Sequence, residues 1–177
     1  MAPQSRYPTW DVMAAREEWD DHTRDVIFQR LEPPQPPAFL RPAETRTLTA
    51  AAARLLSDDD PWRLGKVVEH IDNMLAKGHG NGYRQEGRLP DREFWRAGLR
   101  ALGEGFAGAA PEQQDEILRQ RQGSDFFKTL MNEVVGAYCS LPPVWSSMGY
   151  GGPAFPRGYV RIELGLRDPW EAKPHEA

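Results

Sequence analysis

The sequence predicts an all-α fold, a small bundle of four to five short helices. Three observations predict it. Apolar residues recur at helical spacing through the middle of the chain. Aspartate, serine and proline stand at the breaks between these stripes, where helices start. No convincing alternating strand pattern precedes residue 157. The organisation read from this pattern has three parts. Residues 1–41 form an extended N-terminal arm with a proline-rich spacer, and residues 42–140 form the bundle. Residues 141–177 form an extended Gly/Pro/aromatic C-terminal segment and tail.

In the arm, Trp10 with Met13 and Ala14, and Ile27 with Leu31, make only short helical stripes. Pro33, Pro34, Pro36 and Pro37 follow, and so many prolines exclude helix or central strand and favour a stiff, extended spacer. Pro42 suits a first helical turn, and Leu48, Ala52, Leu55 and Leu56 follow on one face. Asp60-Pro61 reads as a cap plus a first-turn proline; Lys77-Gly78 reads as a helix end. Between them, Val67, Val68, Ile71, Met74 and Leu75 form the clearest apolar face in the chain. Residues 78–90 are a glycine-rich loop, after which Asp91 is the expected cap of the next helix. Trp95, Leu99, Leu102 and Phe106 share one face of it. Arg92, Arg96 and Arg100 line another, which with Glu93 and Glu104 reads as a solvated, self-paired face. Pro111 opens a helix to about Gln122, and Ser124 caps the last one. That helix carries Phe126, Phe127, Leu130, Val134 and Tyr138, and Pro142-Pro143 is read as its stop. The core is expected at Val67, Ile71, Leu75, Leu99, Leu102, Leu130 and Val134.

Composition narrows the function. The 177 residues carry 22 Lys and Arg against 26 Asp and Glu, a net charge of −4. That balance gives no electrostatic reason to expect nucleic acid or an anionic membrane as partner. Cys139 is the single cysteine, so an intrachain disulfide and all-cysteine metal sites are excluded. No run approaches the ~18 apolar residues of a membrane span. The start shows neither an apolar signal run nor paired arginines, so the expected location is the cytoplasm.

Candidate chemistry is sparse. Gly78-His79-Gly80-Asn81-Gly82 lacks the Lys-Ser/Thr of a phosphate loop and follows a helix rather than a strand, so it reads as a connector. Asp58-Asp59-Asp60 lacks the alternation of a calcium loop and reads as a helix start. Cys139 ends an apolar helix and reads as a buried, inert thiol. His70 and its neighbour Glu69 diverge on their helix. No catalytic, cofactor-binding or metal-binding residue is expected in this chain. What remains is the C-terminal segment. Tyr138, Trp145, Tyr150, Phe155 and Tyr159 lie among prolines and glycines, and Arg157 is the only charge between Glu133 and Arg161. Such a segment either folds back over its own helices or docks into a partner, since interface cores are aromatic and poor in charge.

The same residues resemble a known family. Ser124-Asp125-Phe126-Phe127-Lys128-Thr129-Leu130 leads to Tyr138-Cys139-Ser140-Leu141-Pro142. Then come Trp145-Ser146-Ser147-Met148-Gly149-Tyr150-Gly151-Gly152-Pro153 and Pro156-Arg157-Gly158-Tyr159. This pattern resembles the end of the gluconate 2-dehydrogenase subunit 3 family. Leu48 to Leu56, Val67 to Leu75 and Pro111-Glu112-Gln113-Gln114-Asp115 fit its helices in order. The resemblance implies a helical small subunit with no cofactor of its own. Its implied partner is a large FAD flavoprotein of the glucose–methanol–choline type that oxidises sugars or sugar acids, and it assists that subunit's folding, stability or export. With that implication, Trp145, Tyr150, Gly151, Pro153, Phe155 and Tyr159 are the expected partner contacts, joined by Trp10 and Trp19. Two departures stand out. Many members begin with a twin-arginine signal, whose lack here favours a cytoplasmic complex. Many also carry a Gly-Gly-Asn turn where this chain has Leu141-Pro142-Pro143-Val144. The alternative reading is a stand-alone helical scaffold or adaptor.

Overall fold

A computed structural model describes residues 5–78, 89–160, 166, 168 and 170–175. Among the described residues, seven α-helices and two 3-10 turns make up the regular structure. The helices are α1 (Asp21–Leu31), α2 (Pro42–Leu56), α3 (Pro61–Lys77), α4 (Asp91–Ala101), α5 (Pro111–Arg121), α6 (Asp125–Cys139) and α7 (Pro142–Met148). The 3-10 turns are Val12–Glu18 and Phe106–Gly108. No strand occurs among the described residues, so the fold is all-α as predicted, with more helices than the expected four to five. The chain forms two compact units. One runs over residues 33–138; the other is built from the flanking segments, before 33 and after 138.

The first unit is the bundle of α2 to α6. Its helix ends follow local chemistry. The Asp60 carboxylate accepts the Arg63 N–H at 2.8 Å, and Pro61 fills the first helical position of α3, where its missing N–H costs nothing. Gly78 closes α3 in the left-handed region, φ 67°. The Ser124 hydroxyl accepts the Phe127 N–H at 3.1 Å to start α6. At α4 the cap is Pro90, and Asp91 is instead the first helical residue, where its charge suits the helix dipole. The expected core residues Val67, Ile71, Leu75, Leu99, Leu102, Leu130 and Val134 are all buried in one cluster, with Trp95, Phe106 and Leu118 among them.

Polar residues tie this unit together in ways that local spacing did not reveal. Asp72 lies within the apolar face of α3 and is buried. Its carboxylate accepts the N–H groups of Ala38 at 2.7 Å, Phe39 at 3.0 Å and Leu40 at 2.7 Å. The chain just after the prolines is thereby fastened to the bundle, and Pro34 lies against Gly65. The arginine row on α4 is not a self-paired face. Arg92 donates to the carbonyls of Leu75 and Ala76, capping α3 from outside. Arg96 pairs with Glu44 at 3.4 Å and lies over the Phe39 ring at 4.5 Å. Arg92 and Arg100 keep the expected exposure, while Arg96 is half-buried. Gln114 donates to the Phe106 carbonyl at 2.9 Å, and Asp115 takes a two-pronged bond from Arg54. These contacts account for Gln114 and Asp115 within the Pro111–Asp115 stretch. Cys139 is exposed, contrary to expectation. Leu130, Val134 and Ala137 take the inward face of α6, and two residues beyond Ala137 the helix has turned outward.

The acidic run before α3 is a structural knot. Asp58 is buried, and its carboxylate accepts Arg63 at 2.6 and 3.0 Å, the Tyr138 hydroxyl at 2.6 Å and the Asp60 N–H at 3.0 Å. The Arg63 bonds hold its carboxyl far below the usual carboxylate value of 3.8, Tyr138 and Asp60 adding to the shift and burial opposing it. A depressed folded value stabilises the protein above the unfolded value, and that stability is lost as pH falls toward the folded one. Thermal midpoints of wild type and Asp58→Asn are therefore expected to differ at neutral pH and to converge as pH falls from about 5 to about 2. A constant gap across that range would show that Asp58 contributes no linked stability. The loop segment 79–88, with His79, Gly80, Asn81 and Gly82, lies outside the described residues, as do 161–165.

Candidate functional site

The second unit holds every residue expected to contact a partner. Its first half is built by capping. The Asp11 carboxylate accepts the Met13 N–H at 2.9 Å and opens the 3-10 turn Val12–Glu18. Asp20 accepts the Thr23 N–H and hydroxyl and opens α1. The arm is thus helical rather than extended. The stretch after α6 is not extended throughout either. Pro142-Pro143, expected as a stop, opens α7. Proline obeys both readings, because it ends one helix and suits the first turn of the next.

Among the described residues, Val12, Trp19, Ile27 and Trp145 form a buried apolar cluster in this unit. Trp145 is 7 % exposed; its indole N–H donates to the Cys139 carbonyl at 2.6 Å, and Arg30 lies 5.5 Å above its ring while donating to the Ser140 carbonyl. Trp19 is 3 % exposed. Trp10 donates to the Tyr150 carbonyl at 3.1 Å, and the Ser146 hydroxyl accepts the Val12 N–H at 3.1 Å. The two halves of the unit are therefore joined by hydrogen bonds as well as by packing.

Gly149 and Gly152, two of the three glycines of the Gly149–Pro153 stretch, are required by this packing. Gly149 at φ 71° ends α7, and a Cβ there would meet the Tyr7 ring at 2.6 Å. Gly152 at φ 79° would meet Trp19 at 2.9 Å and Val12 at 3.0 Å. Between them Tyr150 packs edge-on to Trp145, ring centroids 5.5 Å apart. Burial raises the Tyr150 hydroxyl above its ordinary value, and the nearby Tyr159 adds to the shift, so it stays a neutral hydrogen-bonding group at physiological pH. Gly151 lies near the Arg157 guanidinium and Pro153 is half-buried. Arg157 pairs with Glu18 and lies 4.5 Å from the Trp170 ring. A cleft of about 280 Å³ opens here between Tyr7, Tyr150, Tyr159, Arg157 and Trp170.

The eight expected contact residues thus divide. Trp145 and Trp19 are interior, and Trp10 is partly covered, so these three shape the surface from beneath. Tyr150, Phe155 and Tyr159 face solvent at 43, 67 and 58 % exposure, with Val160 and Met148 also exposed. Sequence reasoning overlooked Tyr7, Arg30 and Ser146, whose roles depend on partners more than a hundred residues away. Trp170, in the tail, was also not singled out. Among the described residues no group of three or more His, Cys, Asp or Glu is placed to hold a metal ion. His70 lies 3.9 Å from Glu133 on the surface of the bundle. No described helix is long and apolar enough to cross a membrane.

The family model described as gluconate 2-dehydrogenase subunit 3 matches residues 42–152, from the start of α2 through the glycines at the end of α7. The chain belongs to this family. The match takes in the whole α2–α6 bundle and, beyond it, the Trp145–Gly152 stretch. Members of the subunit 3 family are accessory subunits of a dehydrogenase complex. No curated protein and no solved structure matches the chain.

Proposed function

We propose that this protein is the non-catalytic small subunit of a heteromeric FAD-dependent sugar or sugar-acid oxidoreductase. In this reading it supports the folding, stability or assembly of a large glucose–methanol–choline-type flavoprotein in the cytoplasm, as one half of a heterodimer. The FAD and the catalytic groups belong to the large subunit. The observation that carries the reading is the family match, which ends at residue 152 in a segment whose aromatic side chain Tyr150 is exposed, with Phe155 and Tyr159 exposed just beyond the match. Exposed aromatic anchors with little charge around them are what a protein interface uses. The motif's glycines and Trp145 hold that segment in place, which lowers the ordering entropy lost on docking.

Purification of a tagged chain from its native cell tests this. A stoichiometric flavoprotein with bound FAD is the expected companion. Recovery of the chain with no flavoprotein, or with an unrelated protein in its place, favours the adaptor reading instead. The triple substitution Tyr150→Ala, Phe155→Ala, Tyr159→Ala should weaken assembly by at least ~2 kcal/mol while the isolated chain keeps its helical circular dichroism. Trp145→Ala, by contrast, should lower the thermal midpoint of the isolated chain. Wild-type assembly by the triple variant would remove this face from the interface.

A further inference from the structure

A second cleft, of about 440 Å³, lies within the bundle unit, between the first turns of α2 and the end of α4 with the 3-10 turn that follows. Leu99, Ala43 and Ala107 supply apolar lining, beside Thr47 and Gly103. Arg41, Arg46 and Arg100 rise around it, with Glu44 and Glu104 also at its edge. Glu44 is committed, pairing with Arg96 and accepting the Arg41 N–H at 2.8 Å. The three arginines differ from most others in the chain. Arg54 and Arg63 hold aspartates, Arg92 holds two carbonyls, and Arg30 a third. Among the described residues, the guanidinium groups of Arg41, Arg46 and Arg100 have no ion-pair partner, and all three residues are exposed. Such a cluster runs against the grain of a protein with net charge −4. The positive end of the α2 dipole adds to it, since Ala43 and Glu44 are in the first turn.

We propose that this cleft binds an acidic segment of a partner polypeptide. Its carboxylates pair with Arg41, Arg46 and Arg100, and its apolar side chains rest on Leu99, Ala43 and Ala107. Arginine suits this role because its planar fork meets a carboxylate with two parallel hydrogen bonds. Apolar lining beside separate cations fits a chain that presents acids at intervals; a small anion would use the cations alone. The surface is distinct from the Tyr150–Tyr159 face, and the inference stands whichever protein supplies the acidic segment.

The test uses the full chain and poly-L-glutamate, with poly-L-lysine and inorganic phosphate as the other arms. The wild-type protein is expected to bind poly-L-glutamate saturably, more weakly as salt rises, and not poly-L-lysine. Arg41→Gln/Arg46→Gln/Arg100→Gln should weaken that binding by about tenfold or more at unchanged thermal midpoint. Should the triple variant unfold, Arg46→Gln/Arg100→Gln, which spares the residue at the α2 cap, provides the same reading. Arg119→Gln/Arg121→Gln on α5 should bind like wild type. Absence of binding, or equal loss in the α5 variant, overturns the proposal. Saturable phosphate binding that the triple variant also abolishes overturns it too, because the cleft is then a small-anion site.

Discussion

Asp72→Ala is expected to destabilise the bundle by ~3–5 kcal/mol. One carboxylate satisfies three successive backbone N–H groups, those of Ala38, Phe39 and Leu40. Leu40 is buried, so its N–H has no ready access to water once the carboxylate is removed. Each stranded donor costs about 1–3 kcal/mol, less where solvent reaches it, as at exposed Ala38. Phe39 also loses its fixed place beneath Arg96 and Arg92. Asp72→Asn keeps the shape and one acceptor oxygen, and should lose less. Chemical denaturation of both variants checks the order. An Asp72→Ala protein within ~0.5 kcal/mol of wild type would mean that this strap contributes nothing to the bundle. Amide exchange gives an independent reading, since the Leu40 N–H should lose protection in Asp72→Ala.

How far the sequence alone reveals this protein depends on how far apart the interacting residues lie. Helix ends set by neighbours were legible: Asp60-Pro61, Gly78 and Ser124 act within a few residues of themselves. So was the core of the bundle, because Val67, Ile71, Leu75, Leu130 and Val134 announce a buried face by spacing alone. Asp72 was visible only as an acid interrupting an apolar stripe, and its three partners lie more than thirty residues earlier. The α4 arginines failed for the same reason. Glu93 and Glu104 were near in sequence, but Leu75 and Glu44 are near in space. Pro142-Pro143 was ambiguous at the level of the residue itself, since both its uses place φ near −65°. The candidate docking segment was legible as aromatic and uncharged. Which rings are interior was not, because Trp145 and Trp19 are enclosed by each other's segments across more than a hundred residues. The positive φ of Gly149 and Gly152, and the rings packed against them, explain why that stretch is rich in glycine.

Gly98→Ala is expected to destabilise the protein by ~2–4 kcal/mol, against the usual sign of this substitution. Within an exposed helix, alanine gains up to about 1 kcal/mol over glycine by restricting the unfolded chain and favouring helical backbone. Gly98 sits inside α4 and is buried. A Cβ placed there would lie 2.0 to 2.3 Å from three atoms of the Phe126 ring, far inside van der Waals contact. The ring has little room to retreat within its cluster. It packs edge-on to Trp95 at 5.7 Å and to Phe94 at 5.9 Å, so moving outward gives up both contacts. The glycine is therefore the socket for a phenylalanine of the first turn of α6. A double-mutant cycle separates this from a general intolerance of α4 to change. Phe126→Ala alone should cost ~2–4 kcal/mol, somewhat less than a fully buried ring because Phe126 is only half-buried. In that background Gly98→Ala should become neutral or stabilising, giving a coupling energy of at least ~2 kcal/mol. If Gly98→Ala is equally harmful with and without the ring, the socket is wrong. If it raises the thermal midpoint of the wild-type protein, Phe126 does not pack against α4 at all.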